Sequence, residues 1–142
     1  MTDIELFEKL GVQYQTLDGE INARTNKDFE IQFRKVFSSP LAKNLSSVVY
    51  IWSTSRGIPR MKGRSNIVYI GKTKTSLYER HYRYARLEAS DFNWVRSEYI
   101  IENYGPIKVR FARTARPRDC EKDLLKWYFK EHLEYPPVNS SL

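Results

Sequence analysis

Two short apolar runs decide the fold: Val48-Val49-Tyr50-Ile51-Trp52 and Ile67-Val68-Tyr69-Ile70-Gly71. Both runs are rich in β-branched and aromatic residues, which favour β-strands. Between them lies the polar stretch 53–66, which contains Gly57, Pro59 and Gly63. The pattern predicts a β-hairpin whose two strands are joined by a long loop.

Helices are predicted on the N-terminal side of this hairpin. Thr2 can cap a short helix that ends at Gly11. The phenylalanines of residues 29–37 have helical spacing, although the first of them also alternate as they would in a strand. Residues 13–26 are polar and are expected to form a loop or a loose hairpin.

Downstream, helical spacing predicts helices at about residues 75–87 and 91–104. Residues 107–112 alternate between apolar and polar side chains, which is typical of a half-buried strand, and Pro117 suits the first turn of a last helix. The order from residue 47 to residue 142 is therefore β-β-α-α-β-α. We expect an α+β domain with a small three-stranded antiparallel sheet flanked by helices, preceded by a largely helical N-terminal extension of residues 1–46.

Composition excludes several classes of protein. A chain of 142 residues with 41% hydrophobic and 29% charged residues is expected to form one globular domain. One cysteine, Cys120, and two histidines leave no intrachain disulfide, multi-cysteine zinc site or His/Cys metal cluster. No apolar run is long enough for a membrane helix, and the acidic N-terminus does not resemble a secretory signal. We expect a cytoplasmic protein.

The net charge of +7 is unevenly distributed. Residues 54–86 contain nine basic side chains and the single acid Glu79, interleaved with tyrosines, and residues 108–118 contain five basic side chains and no acid. This segregation favours a nucleic-acid partner bound through its phosphates, with a basic solvated face as the alternative. The candidate contacts are Arg56, Arg60, Lys62, Arg64, Lys72, Lys74 and Arg83, and the long loop 53–66 is the segment expected to enter a groove.

Candidates for chemistry on a phosphodiester lie near the hairpin. Arg80 offers a planar guanidinium that can bind two phosphate oxygens, and Tyr84 lies one helical turn further along the same face. Tyr50 and Tyr69 can point into one cleft, and nearby positive charge would lower the pKa of a phenol from its ordinary value near 10. His81 faces elsewhere on the helix and is expected to be exposed to solvent.

Tyr50, Tyr69, Gly71 and Arg80, in this order, resemble the GIY-YIG nuclease superfamily, with Val48-Val49-Tyr50 in place of the first Gly-Ile-Tyr motif. The resemblance implies a DNA endonuclease, of restriction or phage type at this length, that hydrolyses phosphodiester bonds with one Mg²⁺, for which Mn²⁺ substitutes. It also implies the three-stranded sheet that the pattern predicts. Cleavage of both DNA strands would favour a homodimer, because one active site meets one strand at a time.

The resemblance also assigns roles to single residues. Glu121, in a segment similar to the family's Glu-x-x-Leu-Ile-Lys pattern, would hold the metal, with Asp119 and Asp123 as nearby rivals. The remaining expected roles are phosphate binding for Arg80 and Lys74, activation of water by Tyr50 and Tyr69, assistance by Tyr84, and support of the site through hydrogen bonds of Asn139. The alternatives are a non-catalytic nucleic-acid-binding module on the same fold and a protein-interaction domain.

Overall fold

The computed structural model describes residues 2–139. In this part of the chain the elements are α1 (Asp3–Lys9), β1 (Tyr14–Thr16), α2 (Asn26–Val36), α3 (Pro40–Asn44), β2 (Ser46–Pro59), β3 (Arg64–Ser76), α4 (Leu77–His81), α5 (Ala85–Glu88), α6 (Asp91–Tyr104), β4 (Lys108–Arg113) and α7 (Pro117–His132). A single turn of 3-10 helix, Tyr82–Tyr84, connects α4 to α5. The α+β class is confirmed.

The sheet has four antiparallel strands in the order β1-β4-β2-β3, where three strands were predicted. The additional strand comes from the N-terminal extension, since Tyr14 pairs with Ala112 and Thr16 with Arg110. All three residues of β1 are exposed to solvent. No apolar alternation therefore marks this strand, and the sequence pattern could not distinguish it from a loop.

The prediction of a long loop over residues 53–66 is wrong. Strands β2 and β3 are 14 and 13 residues long, and only residues 60–63 form the turn between them. Irregular register between Trp52 and Ile58 lets the polar residues continue the ladder. The turn is also held by the segment that follows α7, where the Glu134 carboxylate pairs with Arg60 and accepts a hydrogen bond from the backbone N–H of Met61.

Capping residues explain where several helices begin and end. The hydroxyl of Thr2 accepts a hydrogen bond from the first turn of α1, as its position in the sequence predicted, and that of Ser76 accepts one from the first turn of α4. Gly105 ends α6 with a φ of 97°, a value that favours glycine. The predicted helix at 75–87 is instead divided into α4, the 3-10 turn and α5.

The core lies on both faces of the sheet, because neighbouring residues of β2 point in opposite directions. Tyr50 and Trp52 pack with Phe33 of α2, whereas Val49 and Ile51 pack with residues of α1 and α7. Both buried faces therefore include side chains of residues 1–46. Within residues 2–139, no helix combines the length and the hydropathy needed to cross a membrane.

Candidate active site

A cleft of about 240 Å³ opens where α4, α5 and α6 meet one face of the β2–β3 hairpin. Its walls are aromatic on the sheet side and carry charged and amide groups on the helix side. The lining residues are Phe33, Tyr50, Trp52, Tyr69, Arg80, His81, Tyr84, Leu87, Glu88, Asn93, Arg96 and Val138. Four of the six predicted catalytic residues, Tyr50, Tyr69, Arg80 and Tyr84, therefore line the same cleft.

The floor of the cleft is set by a close contact between the two strands. Tyr50 pairs with Gly71 across the ladder, and Tyr69 pairs with Trp52. A Cβ atom at Gly71 would lie 2.5 Å from the Tyr50 ring and hydroxyl, which is closer than real Cβ contacts allow. The Tyr50 ring that crosses position 71 therefore leaves room for glycine and not for a larger residue.

Tyr50 is fully buried, and its ring centroid lies 5.9 Å from that of Tyr69. Burial is the main reason that the pKa of Tyr50 lies well above its ordinary value, and the neighbouring Tyr69 raises it further. The positive charge of Arg80 acts in the opposite direction but is the smaller influence. The expectation that nearby positive charge would lower the pKa of this phenol is wrong, because burial outweighs it.

Arg80 and Tyr84 contact each other, as their spacing predicted. The Arg80 guanidinium carbon lies 5.6 Å from the Tyr84 ring centroid, and that of Arg83 lies 5.0 Å from the same centroid. Both distances are in the range of cation–π attraction. The Tyr84 ring therefore lies against two arginines, of which Arg80 lines the cleft and could bind a phosphate through its planar guanidinium.

His81 is buried rather than exposed, so the prediction made for it is wrong. Its ring stacks in parallel on Phe37 at 3.9 Å and lies 4.7 Å from the Tyr50 ring. The ring turns inward because α4 ends at His81 and the chain tightens into the 3-10 turn. Its Nδ1 lies 2.9 Å from the carbonyl oxygen of Leu77, which can only accept, so Nδ1 carries the proton.

Burial lowers the pKa of His81 to about 3. The ring is therefore neutral over the ordinary working range of pH, and its Nε2 presents a lone pair. Within residues 2–139, Nε2 of His81 and the hydroxyl of Tyr50 are both buried polar atoms without a hydrogen-bond partner. Both rings line the cleft, so these two polar atoms are candidates for contact with a bound ligand.

Glu121 lies in the first turns of α7 and is partly buried. It lines a surface depression with Lys72 and Lys126, and the residues that line this depression differ from those of the cleft. Burial raises the pKa of its carboxyl group, and the charges of Lys72 and Arg80 oppose that rise. Glu121 also acts electrostatically on Tyr50, so the carboxylate lies within reach of the charges of the cleft.

The two rival carboxylates of α7 differ from Glu121 in exposure. Asp119 is exposed and lies 4.0 Å from the guanidinium of Arg116, and Asp123 is exposed as well. No group of three His, Cys, Asp or Glu side chains converges anywhere in residues 2–139. A single partly buried carboxylate suits Mg²⁺, which usually keeps several waters and takes one or two protein ligands. In the described residues Glu121 offers one carboxylate ligand, in a depression that it shares with Lys72, Arg118, Lys122 and Lys126, and its metal-binding role stays a prediction.

Asn139 fastens the end of the described chain to the free edge of β3. Its side-chain oxygen accepts from the Ile70 N–H at 2.8 Å, and its amide group donates to the Ile70 carbonyl at 2.9 Å. The backbone N–H of Val138 adds a bond to Val68 at 2.9 Å. The two bonds of Asn139 hold the strand residue between Tyr69 and Gly71, and Val138 forms part of the cleft wall.

The predicted nucleic-acid contacts divide into two groups. Arg56, Arg60, Lys62 and Arg64 belong to the outer half of the hairpin, where Arg60 is paired with Glu134 and Arg56 donates to the Asn103 carbonyl. The structure thus ties this half of the hairpin to α6 and α7. In the other group, Lys72 and Lys74 lie near the C-terminal end of β3, and Arg83 lies in the 3-10 turn that follows α4.

Three polar residues of the cleft were absent from the prediction: Glu88, Asn93 and Arg96. Burial raises the pKa of the Glu88 carboxyl group, while Arg96 and Arg80 oppose the rise. Their position depends on how α5 turns into α6, and no motif in the sequence signals that turn.

No family model, no curated protein and no solved structure matches this chain.

Proposed function

We propose that this protein is a DNA endonuclease that hydrolyses phosphodiester bonds with one divalent metal ion, of restriction or phage type. The observation that supports it most is the shared cleft of Tyr50, Tyr69, Arg80 and Tyr84, with the Glu121 carboxylate acting on the same charges. Phosphodiester hydrolysis needs neutralisation of the phosphate charge and an activated water, which cationic side chains and a carboxylate-held metal ion can supply.

Each residue has a distinct part in this proposal. Arg80 binds the non-bridging oxygens of the scissile phosphate and stabilises the charge that develops on them, while Tyr84 holds the guanidinium in place. Glu121 would hold Mg²⁺, or Mn²⁺ in its place, which supplies positive charge to the phosphate and increases the acidity of water.

Tyr50 acts as a neutral phenol in this account. Because burial raises its pKa, Tyr50 stays protonated and orients the attacking water through hydrogen bonds of its hydroxyl. The proton that this water loses passes to solvent, and solvent protonates the leaving oxygen when its bond to phosphorus breaks. Tyr69 lies beside it in the cleft and limits the positions open to that water. Asn139 maintains the strand geometry of both tyrosines through its bonds to Ile70.

Cleavage of supercoiled plasmid DNA tests the proposal. The purified protein should nick or linearise the plasmid with Mg²⁺ or Mn²⁺ and should stop when EDTA is added. Arg80→Lys keeps the positive charge but loses the planar guanidinium that can bind two phosphate oxygens. We expect it to lower the cleavage rate by a factor of about 10²–10³, the usual effect of removing a hydrogen-bond donor to the transition state.

The alternative is a nucleic-acid-binding module that does not cut. It predicts salt-sensitive DNA binding by the parent protein with no metal-dependent product. Mapping the products on a defined duplex would then distinguish nicking from double-strand cleavage for an active protein. A plasmid left intact under both metals, with binding retained, would favour the module over the endonuclease.

A further inference from the structure

The N-terminal extension places two cations over a pair of tyrosines beside Arg80. The Lys43 Nζ lies 5.1 Å from the Tyr78 ring centroid, and the Arg34 guanidinium carbon lies 5.6 Å from that of Tyr82. The two tyrosine rings are 4.8 Å apart. We call these four residues the cation–tyrosine row.

The row borders a second surface depression, of about 340 Å³, that shares Arg80 with the cleft. Its lining residues are Thr75, Tyr78, Glu79, Arg80, Tyr82 and Arg83. Arg80 therefore connects the place proposed for the scissile phosphate with a surface that α2 and α3 complete. A bound DNA strand would have a continuous path from the cleft to this depression.

Charge on this surface is predominantly positive. The acids that face it are Glu79, in the depression, and Glu30, which pairs with Arg34 at 2.6 Å. Within residues 2–139, Lys43 forms no ion pair with a carboxylate, and its side chain is exposed. Arg83 is likewise exposed, and its guanidinium is held over Tyr84. Two exposed cations are thus held by aromatic rings.

A cation held over a ring loses less side-chain freedom when it binds an anion than a cation on a freely moving stem. Repeated, fixed positive charges spaced along a path beside a phosphate-binding arginine suit a polyanion of regular charge, which is the backbone of a nucleic acid. Lys43 and Arg83 would contact phosphates in this arrangement, and phosphate contacts carry no information about base sequence. The contacts would therefore be independent of base sequence.

We propose that the cation–tyrosine row, together with Arg83, binds the phosphate backbone of the substrate DNA next to the scissile phosphate. The proposal rests on the proposed nuclease function and assigns a role to the N-terminal extension. Lys43 makes the main contact from α3, and Tyr78 and Tyr82 keep the row in place.

Equilibrium binding to a short fluorescein-labelled DNA duplex in EDTA, measured by anisotropy over a range of NaCl concentrations, tests this role without cleavage. Lys43→Ala should weaken binding roughly three- to tenfold, equally for duplexes of different sequence, and should reduce the salt slope by about 0.9. The matched control is Lys35→Ala, since Lys35 is an exposed lysine of α2 that lines a different depression with Asp18 and Glu20. It should bind like the parent protein.

Two variants of Tyr78 test the row itself. Tyr78→Phe keeps a ring under Lys43 and should bind like the parent, whereas Tyr78→Leu should bind more weakly at unchanged thermal stability. If the parent protein binds and cleaves DNA, equal losses of affinity in Lys43→Ala and Lys35→Ala would contradict the proposed role of the row. They would not contradict the nuclease function. Lost affinity of Lys43→Ala for poly-aspartate but not for DNA would assign the surface to an acidic protein instead.

A parent protein that binds DNA through Lys43 but cleaves nothing would support the row and contradict the nuclease. The two proposals therefore fail in different experiments.

Discussion

At the scale of single residues, the contact between Gly71 and the Tyr50 ring connects the hairpin motif to the cleft. The glycine has an ordinary φ, so the reason for it is space rather than backbone conformation. Tyr50 in turn contacts Tyr69 and His81. The contact of its ring with Gly71 therefore determines the shape of the cleft floor.

We expect Gly71→Ala to lower the free energy of unfolding by about 1–3 kcal/mol, the usual cost of overpacking. The added methyl group must displace the Tyr50 ring, so the same substitution should cost much less in a Tyr50→Leu background, which lacks the clashing ring atoms. Urea unfolding of the four proteins measures the coupling. Equal costs in both backgrounds would show that the clash is relieved elsewhere.

The buried neutral His81 predicts a pH dependence of stability. Its pKa is about 3 in the folded protein and about 6.5 when unperturbed, so between these values only the unfolded chain binds the proton. Stability from this residue is complete above pH 6.5 and is lost as the pH falls towards 3. The expected slope approaches 1.4 kcal/mol per pH unit.

His81→Phe retains a ring against Phe37 and should remove this slope, although the variant will differ in absolute stability. Urea unfolding at a series of pH values below 7 compares the two proteins. If the free energy of unfolding changes with pH in the same way in the parent and the variant, His81 takes up its proton in the folded state.

At the scale of elements, the hairpin and α7 form one unit at the end remote from the cleft. The Arg60 side chain is only 10% exposed and is paired with Glu134, which is 35% exposed. Removing the charge of Glu134 leaves the Arg60 guanidinium with the Tyr135 carbonyl as its remaining acceptor. The tip of the hairpin depends on this pair, which no sequence spacing indicated.

Glu134→Gln should therefore lower the free energy of unfolding by about 1–2 kcal/mol, because it weakens a largely buried charged hydrogen bond. The matched control is Glu30→Gln, which removes a more exposed pair with Arg34 and should cost about 0.5 kcal/mol or less. Urea midpoints and slopes for the two variants provide the comparison. A larger cost at Glu30 than at Glu134 would contradict the assignment of the buried pair.

Elements with a strong apolar period could be predicted from the sequence. Phe29 and Phe33 marked α2, the alternation of residues 107–112 marked β4, and Pro117 marked the start of α7. Residues 14–16 and 53–59 could not be assigned, because their backbones pair while their side chains remain largely polar or exposed. Pairing of the backbone is a tertiary property that side-chain patterns do not report.

The same distinction applies to the candidate site. The hairpin tyrosines and the contact of Arg80 with Tyr84 follow from local spacing, and the structure places all four residues in one cleft. The burial of His81 and the approach of Glu88 and Arg96 depend on the packing of α2, α5 and α6, which local spacing does not specify. The metal-binding role of Glu121 stays a prediction.

At the scale of the whole molecule, the N-terminal extension and the remainder of the chain share a core. Phe33 of α2 is 1% exposed and lines the cleft. Its ring centroid lies 6.0 Å from those of Trp52 and His81. The extension is therefore part of the support of the site, in addition to its proposed contact with DNA.

Phe33→Ala should lower the free energy of unfolding by about 3–5 kcal/mol, the usual cost of removing a buried phenylalanine. Phe92→Ala is the matched control, since Phe92 is 88% exposed and its loss should change stability by less than about 0.5 kcal/mol. Thermal or urea unfolding distinguishes them directly. A small cost at Phe33 would mean that residues 1–46 contribute little to the fold.

The proposed DNA cleavage depends on a metal ion and on one carboxylate of α7, that of Glu121. The most direct measurement is the initial rate of duplex DNA cleavage at saturating Mg²⁺ for Glu121→Gln, with Asp119→Asn and Asp123→Asn as controls from the same helix. We expect Glu121→Gln to lose cleavage but to keep its binding to DNA. Both control variants should cleave at close to the parent rate. Cleavage by Glu121→Gln at the parent rate would contradict the proposed role of Glu121.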